Sequence, residues 1–463
     1  MKSNAFLKLM IISIILPYTI NVSAQWAVSR PTVEDTVGIN SLTAIKNNHS
    51  IVWATGSKYL VDSFYFGSVM NENIQFFKTE DAGTTWVSGQ IPNSPNIFVN
   101  NICGTNAQKA WVNGINGDYL SVFFNTTDGG STWHPTMTDM YVKPSSYVNA
   151  MVFLDSLVGV VIGDPAISTI SSNPFFEIYR TSDGGNSWTR IDSSNIPTPL
   201  PDEYGSATYY STLNDDIWFT TVLITATEYR DYRTFHSSDG GLHWTATETD
   251  ASDISFVDPL NGLALDVYIS IIRTTVDGGA TWKDATIPPG IIMSCVMIPT
   301  SNYLMAVTSD NFLYGPFKTL LSKDRGETWI ELGSGDEAGF LQFPTASLGY
   351  AGGLQRIDRP TELYKYNGAP LLGVLNGQQF DGKIELSNNP NNGLFSVKIS
   401  QATNKNLTFL INDSNGNLIH KSDAYVRNEE TKHFDISTAL SGTYFLTVSS
   451  AEGSKTIKFI KLP

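Results

Sequence analysis

The sequence predicts an all-β protein, a seven-bladed β-propeller followed by a small antiparallel β-sandwich. Three observations lead to this fold class. A turn sequence recurs six times, with a mean spacing of about 49 residues between Trp86 and Trp329. Charged residues make up only 16% and aromatic residues 12%, with 37 glycines and 21 prolines, which favours strands and turns over helices. From about Lys383 the pattern changes to short alternating strands with Asn/Gly turns.

The repeated turn is expected to be the tip of a β-hairpin. Aspartate and hydroxyl side chains bond nearby backbone N–H groups, glycine supplies a positive φ, and the tryptophan enters a strand with a large apolar ring. In the fourth copy His243 replaces the usual Ser or Thr, so its turn bond is less certain. The six copies are TEDAGTTW (79–86), TTDGGSTW (126–133), TSDGGNSW (181–188), SSDGGLHW (237–244), TVDGGATW (275–282) and SKDRGETW (322–329). Their structural residues are Asp81, Trp86, Asp128, Trp133, Asp183, Trp188, Asp239, Trp244, Asp277, Trp282, Asp324 and Trp329.

This pattern resembles the Asp-box, or BNR, repeat of sialidases, sortilin, certain xyloglucan-degrading enzymes and photosystem II stability/assembly factors. The resemblance implies a β-propeller with the boxes at the blade rims. A spacing near 49 residues suits one four-stranded blade per box, since blades take roughly 40 to 50 residues.

The stretch from residue 25 to about residue 367 has room for one unit more than the boxes. Its last unit, FLQFPTASLGYAGG and TELYKYN, offers three strands and no box. The segment QWAVSRP, which starts at Gln25, mimics the Trp-led strand that follows each box. We therefore expect the N-terminal segment to complete the last blade and close the ring, removing two sheet edges.

Residues 1–24 are typical of a secretory signal peptide, with a lysine-bearing start, a short apolar core and Val-Ser-Ala before Gln25. The alternative is a membrane anchor, but an apolar core of about a dozen residues is short of the roughly 20 that span a bilayer. No later segment is long and apolar enough, so the mature chain is expected to lack a transmembrane anchor.

Residues 383–463 resemble the C-terminal sorting domain of the type IX secretion system of Bacteroidetes. The matching positions are Asn389, Pro390 and Gly393, then Asp413 and Gly416, then Gly442, Tyr444 and Phe445, and the basic-apolar end Lys458 to Leu462. The resemblance implies export through that machinery to the cell surface or the medium. The alternative is an ordinary Ig-like or carbohydrate-binding sandwich. Residues 368–382 are predicted to be a linker.

Charge and cysteine content exclude some classes. A net charge of −15 and a pI near 4.8 argue against nucleic-acid binding, which needs clustered Lys and Arg. Cys103 and Cys295 fall on separate predicted blades, too far apart for a disulfide, and are expected to be buried thiols.

Catalytic and metal signatures are not found in the sequence. The Asp-box resemblance would imply a sialidase only with an Arg-Ile-Pro motif, and the N-terminal stretch offers only Ser29-Arg30-Pro31. The six histidines form no metal-binding pattern and no glycine run cradles a phosphate, so no catalytic residue, metal or cofactor is predicted.

The box spacing itself indicates where a ligand binds. Successive steps of 47, 55, 56, 38 and 47 residues place insertions in two units, and such insertions map to loops that often form the binding face. These loops contain VVIGDPAISTISSNP and NIPTPLPDEYGSATYY. The candidate ligand-binding residues are Asp164, Glu203, Tyr204 and Asp266, since acidic and aromatic groups suit polar ligands. Ordinary solvated loops are the alternative.

These observations favour a secreted or cell-surface scaffold that binds an extracellular protein or glycan without catalysis. The competing class is an extracellular glycoside hydrolase, which would need two carboxylates roughly 5 to 9.5 Å apart.

Overall fold

The computed structural model describes most of the chain. The described residues are 26–29, 38–57, 73–94, 97–118, 120–137, 140–141, 147–166, 174–224, 229–249, 251–266, 270–310, 317–334, 340–352, 363–367, 371, 383–413, 418–450 and 453–462. The predicted signal peptide and Gly416 lie outside them, as does all of the predicted linker except Leu371.

Before residue 371, these residues form seven four-stranded antiparallel sheets, one for each unit that the spacing predicts. Each sheet is a meander of successive strands, except the last, which takes strand β1 (Trp26–Val28) from the chain start. The first three blades are β2 (Gly38–Ile45), β3 (Asn48–Ser57), β4 (Gln75–Thr79) and β5 (Val87–Gln90); β6 (Ile97–Gly104), β7 (Ala110–Asn116), β8 (Ser121–Thr126) and β9 (His134–Thr136); and β10 (Val148–Phe153), β11 (Gly159–Ala166), β12 (Phe175–Thr181) and β13 (Thr189–Arg190).

A 3-10 helix, Ser193–Asn195, leads into the fourth blade. The remaining blades are β14 (Glu203–Leu213), β15 (Asp216–Ile224), β16 (Tyr229–Ser237) and β17 (Thr245–Glu248); β18 (Asp253–Phe256), β19 (Gly262–Asp266), β20 (Ile271–Thr275) and β21 (Lys283–Asp284); β22 (Ile291–Met297), β23 (Leu304–Ser309), β24 (Phe317–Ser322) and β25 (Ile330–Ser334); and β26 (Phe340–Thr345), β27 (Leu348–Gly352) and β28 (Leu363–Tyr366) with β1.

The inner strands are buried on both faces, because neighbouring blades cover both sides of each sheet. Every residue of β10 and of β23 is buried, whereas the outer strands β13 and β21 are exposed throughout. This explains why the inner strands are near-continuous runs of Val, Ile, Leu, Phe and small residues.

One apolar cluster lies between each pair of neighbouring blades, and the seventh joins the last blade to the first. That cluster packs Leu42, Val52 and Phe77 of blade 1 against Tyr350 and Leu363 of the last blade. Trp86 contacts Tyr350 edge to face, with 6.4 Å between ring centroids. The described sheets therefore form a closed ring.

The N-terminal strand closes the last blade, as predicted. Trp26 pairs with Tyr366 and Val28 with Tyr364 in an antiparallel ladder. The Trp26 ring is 4% exposed, and its Nε1 donates to Thr319 Oγ1 of blade 6 at 3.0 Å. Ser29 Oγ in turn donates to the Gly83 carbonyl of blade 1. Residues 26–29 thus connect the last blade with blade 6 and blade 1.

The six boxes share one hydrogen-bond pattern, which confirms the predicted turns. In the third copy, Thr181 Oγ1 accepts from the Gly185 amide at 2.9 Å and donates to Asp183 Oδ1 at 2.7 Å. Asp183 also accepts from the amide and the hydroxyl of Ser187, at 2.9 and 2.6 Å. The turn is therefore held by its own side chains.

The fourth box replaces the hydroxyl bond with an imidazole bond. His243 Nδ1 lies 2.6 Å from Asp239 Oδ2, and the His243 amide donates to Asp239 Oδ1 at 3.0 Å. An imidazole nitrogen carrying a proton is a hydrogen-bond donor, so the substitution keeps the turn.

Two consecutive box positions have a left-handed backbone, and the second is glycine in all six copies. At the first position four copies have glycine, and the other two have Ala82 and Arg325 at φ values of 55° and 58°. Arg325 gains compensating contacts: its guanidinium donates to Asn261 Oδ1 and to the Thr275 carbonyl of blade 5.

The ring has two different ends. Each box turn donates a backbone amide to the turn between the first two strands of its own blade, as Gly184 does to Leu157 at 2.8 Å, or in blade 1 to Ser50 near the start of β3. Both kinds of turn therefore lie at one end, which we call the box end. The inter-blade loops and the loops after second strands lie at the other, which we call the insertion end. The first strands contact one another and surround the centre.

The C-terminal unit is a five-stranded antiparallel structure. Its strands are β29 (Lys383–Leu386), β30 (Leu394–Asp413), β31 (Leu418–Asp435), β32 (Gly442–Ser450) and β33 (Gly453–Lys461). Strand β30 pairs with β31 over most of its length and with β29 and β32 at its two ends. Phe395, Phe409, Phe434 and Phe459 fill the core.

Three smaller predictions have outcomes here. Cys103 and Cys295 are free and buried, as expected. Leu371, in the predicted linker, is buried against the last blade, and its amide donates to Ala346 O at 2.7 Å, so this residue packs on the propeller. Among the described residues no helix has the length and hydropathy to cross a bilayer.

Candidate functional site

All four candidate ligand-binding residues lie at the insertion end of consecutive blades. Asp164 is near the end of β11 in blade 3, Glu203 and Tyr204 begin β14 in blade 4, and Asp266 ends β19 in blade 5. Strand direction explains this placement, because second strands run towards this end and first strands start from it.

Asp164 is a buried carboxylate that joins two blades. Its Oδ1 accepts from Asn149 Nδ2 at 2.8 Å and from the Gly205 amide of blade 4 at 2.9 Å. Burial raises the pKa of this carboxyl to about 6, although both hydrogen bonds act in the opposite direction. Asp164 can therefore hold or release a proton near neutral pH.

Glu203 is also buried, but it is fully engaged by the protein. Arg233 grips both carboxylate oxygens, with Nε 2.8 Å from Oε1. Thr221 Oγ1 donates to Oε1 at 2.6 Å, and the Leu200 amide donates to Oε2 at 2.9 Å. Its carboxylate therefore anchors the loop that precedes β14.

Further hydrogen bonds hold the backbone of that loop. Arg233 also donates to the Thr198 carbonyl at 3.1 Å, and the Ile224 amide donates to the Asp202 carbonyl at 2.9 Å. Leu200 of the loop and Ile224, the adjacent last residue of β15, are exposed, at 37% and 44%. The 196–204 loop thus presents apolar side chains on a backbone fixed by a buried ion pair.

The structure brings Asp164 to the strand that carries Glu203, since Gly205 is two residues further along β14. Tyr204 is half-buried and pairs with Val222; successive strand residues point to opposite faces, so its ring lies away from the Glu203 side. Asp266 is buried and pairs with Ile271. That the four contact a ligand remains a prediction.

Sequence reasoning missed the amides that line the inner strands. Bulges fall at Asn40, Asn100 and Asn149, inside the triplets Ile-Asn-Ser, Val-Asn-Asn and Val-Asn-Ala. Asn100 Nδ2 donates to the Val148 carbonyl of the next blade. An apolar residue followed by Asn in the first strands of blades 1 to 3 was the available signal.

A second set of missed residues links neighbouring first strands through one side-chain oxygen. The Asn101 Oδ1 atom accepts from the Met151 amide at 3.0 Å, and Tyr210 Oη accepts from Asn101 Nδ2 at 3.2 Å. Ser41, Ser211 and Ser294 accept in the same way from Ile102, Phe256 and Leu341. These bonds fix the centre of the ring, on which the insertion-end residues stand.

Within the described part of the chain, no group of three or more His, Cys, Asp or Glu side chains is arranged to hold a metal ion.

The C-terminal unit has its own functional geometry. Its Asn-Pro-x-x-Gly turn is bonded to the chain end: the Asn389 Oδ1 atom accepts from the Ile460 amide at 3.0 Å, and the Leu462 amide donates to the Asn391 carbonyl at 2.7 Å. The Tyr444 hydroxyl donates to the Leu440 carbonyl at 2.5 Å. Motif positions about 70 residues apart in sequence thus form one structure.

Residues 388–462 match the family model described as the secretion system C-terminal sorting domain. The chain carries a C-terminal sorting domain. This match indicates export by the type IX secretion system, to the cell surface or beyond. The sorting domain also implies contact with that secretion machinery.

About three quarters of the chain is similar to solved structures. YCF48 bound to a D1 peptide is 14% identical, with 74% of this chain and 96% of that chain covered and a TM-score of 0.50. YCF48 from Cyanidioschyzon merolae is 15% identical (74% and 98% covered, TM-score 0.49), and U3-55K is 8% identical (74% and 98% covered, TM-score 0.47). At 14% identity the first likeness shows the β-propeller fold alone. No curated protein matches the sequence.

Proposed function

We propose that the protein is an exported binding scaffold that holds an extracellular protein or glycan at the insertion end of blades 3 to 5, without catalysis. The observation that carries this proposal is the 196–204 loop, anchored by the buried Glu203–Arg233 pair beside Asp164. A surface whose backbone is already fixed loses little entropy when a ligand binds.

In this proposal the chain has four parts. Residues 1–24 are a signal peptide, residues 25–367 the propeller, residues 368–382 a linker and residues 383–463 the sorting domain. The propeller stays folded as the cargo, and the sorting domain addresses it to the secretion machinery.

A protein ligand has support from one comparison, since a similar propeller is described as bound to a D1 peptide. Exposed Leu200 and Ile224 suit an apolar peptide side chain, while Tyr204 suits a sugar through stacking and hydrogen bonding.

A glycoside hydrolase is the second candidate, favoured by the raised pKa of Asp164, which suits a general acid. Such an enzyme needs a second free carboxylate across the substrate. Glu203, the nearest candidate along the chain, is neutralised by Arg233 and has both oxygens engaged. This arrangement favours the scaffold.

Export can be tested in the native host by deleting residues 388–462 and fractionating the cells. We expect the truncated propeller to be folded but retained in the periplasm, and the full chain to reach the surface or the medium. Equal export of both forms would contradict the sorting role.

Binding can be tested with the mature full chain on glycan and peptide arrays, comparing Tyr204→Ala with Tyr425→Ala. Tyr425 is an exposed tyrosine on the sorting domain and serves as the matched control. We expect only Tyr204→Ala to lose captured ligand. Release of reducing ends from an arrayed glycan, lost in Asp164→Asn, would instead establish the hydrolase.

A further inference from the structure

Two of the buried polar groups that lack a hydrogen-bond partner lie in turns between first and second strands, at the box end of the ring. Lys46 lies in the turn between β2 and β3, and its Nζ is shielded from solvent and has no hydrogen-bond partner. Thr105 begins the corresponding turn of blade 2, and its Oγ1 is likewise buried and unpartnered. The turns are neighbours, since a Cβ on Gly104 would lie 3.0 Å from Ile45 Cδ1.

An ammonium group without a partner is costly to bury unless something compensates for the lost water. Nearby carboxylates supply part of the compensation. Asp155 in the first turn of blade 3, and Asp215 and Asp216 at that of blade 4, raise the pKa of Lys46. Burial is the larger effect and lowers that pKa to about 8.

The three acids are not equally available. Asp216 Oδ1 lies 2.7 Å from His236 Nε2. Asp155 uses Oδ1 to accept from the amides of Leu157 and Val158, at 2.7 and 2.6 Å. Asp155 and Asp215 are exposed in the turns between first and second strands at the box end, and we call the region that these turns surround the mouth. The mouth therefore has a shielded positive group within and a negative rim.

We propose that this mouth binds a small zwitterion, with its carboxylate on Lys46 Nζ and Thr105 Oγ1 and its ammonium towards Asp155 and Asp215. A simple anion would be repelled by the rim, and a simple cation would be repelled by Lys46. A molecule that carries both charges satisfies the two orphaned donors and the exposed carboxylates together. This site is at the opposite end of the ring from the proposed scaffold surface and does not depend on it.

The proposal has a proton-linked signature. A ligand carboxylate bound to Lys46 favours the charged form of the Lys46 amine. Part of the Lys46 population is neutral at pH 8, so binding at that pH must take up protons. At pH 6.5 the amine is already charged and the uptake disappears.

The test is isothermal titration of the mature full chain with glycine, β-alanine and 4-aminobutyrate, with acetate and methylammonium as single-charge controls. We expect at least one zwitterion to bind more tightly than either control, with heats that depend on the ionisation enthalpy of the buffer at pH 8 but not at pH 6.5.

Lys46→Met should weaken that binding at least tenfold and remove the buffer dependence, and Thr105→Val should weaken it about threefold. Lys283→Met is the control, because Lys283 is exposed on the outer strand β21, where it forms an ion pair with Glu327. Melting temperatures establish that each variant is folded. Absence of zwitterion binding, equal binding of acetate, or undiminished binding in both site variants would overturn the proposal and leave water as the occupant.

Discussion

Asp164 shows how one residue can serve both the fold and a ligand. Its carboxylate joins blade 3 to blade 4, yet it is buried with only neutral donors around Oδ1. The fold therefore favours the protonated acid, and the pKa rises from 3.8 to about 6. The contribution of that proton to stability is fully present below pH 3.8 and is lost as the pH rises through 6.

Asp164→Asn should therefore stabilise the protein at neutral pH. Asparagine keeps the accepting oxygen but carries no charge, so the free energy of unfolding should rise by about 1–2 kcal/mol at pH 7.5 and much less at pH 4.5. Urea unfolding at both values measures this change. Asp118→Asn, at an exposed turn, is the control; a loss of stability at pH 7.5 would contradict the account.

Thr181 makes two hydrogen bonds that hold its box turn. Its buried hydroxyl accepts from the Gly185 amide and donates to Asp183. Thr181→Val leaves that amide unsatisfied and should cost about 1–3 kcal/mol of unfolding free energy. Ser187→Ala removes an exposed hydroxyl from the same box and should cost less. Equal melting temperatures for the two variants would show that the buried hydroxyl is not what holds the turn.

At the scale of elements, the sequence predicted contacts between residues close together in the chain, but not contacts between residues far apart in it. The boxes were predictable because each turn is held by side chains within eight residues. The role of Glu203 was not, because its partner Arg233 lies 30 residues away on β16 and only strand pairing brings them together. The hydrogen bond from Asn149 to Asp164 was not predicted for the same reason, although an apolar residue followed by Asn recurs in the first strands of blades 1 to 3.

The 196–204 loop depends on the buried ion pair. Arg233→Met leaves the buried Glu203 carboxylate without a counter-ion and should lower the free energy of unfolding by about 3–5 kcal/mol. The double variant Glu203→Met with Arg233→Met should recover much of that loss. Lys283→Met, which breaks an exposed pair, should cost less than about 1 kcal/mol. Thermal unfolding measures all three. If the double variant were as unstable as the single one, loop order would not depend on compensating the charge.

At the scale of the whole molecule, the repeat spacing predicted the number of units and the N-terminal strand that completes the last one. Trp26 was recognisable because its sequence copies a Trp-led outer strand. Its bond to Thr319 and the bond of Ser29 to Gly83 were not, since both cross to other blades and depend on ring closure. The ligand also lies beyond the sequence, because the insertion-end loops carry no repeated chemistry.

The central claim is that the ring is closed by the residues that follow the predicted signal peptide, and deletion of residues 25–29 tests it most directly. The deleted chain loses a buried Trp and exposes the β28 edge, so its melting temperature should fall by several degrees and it should self-associate. Adding the peptide QWAVS should restore the melting temperature, and the same peptide with Trp26→Ala should not. An unchanged melting temperature and a monomeric deleted chain would contradict the claim.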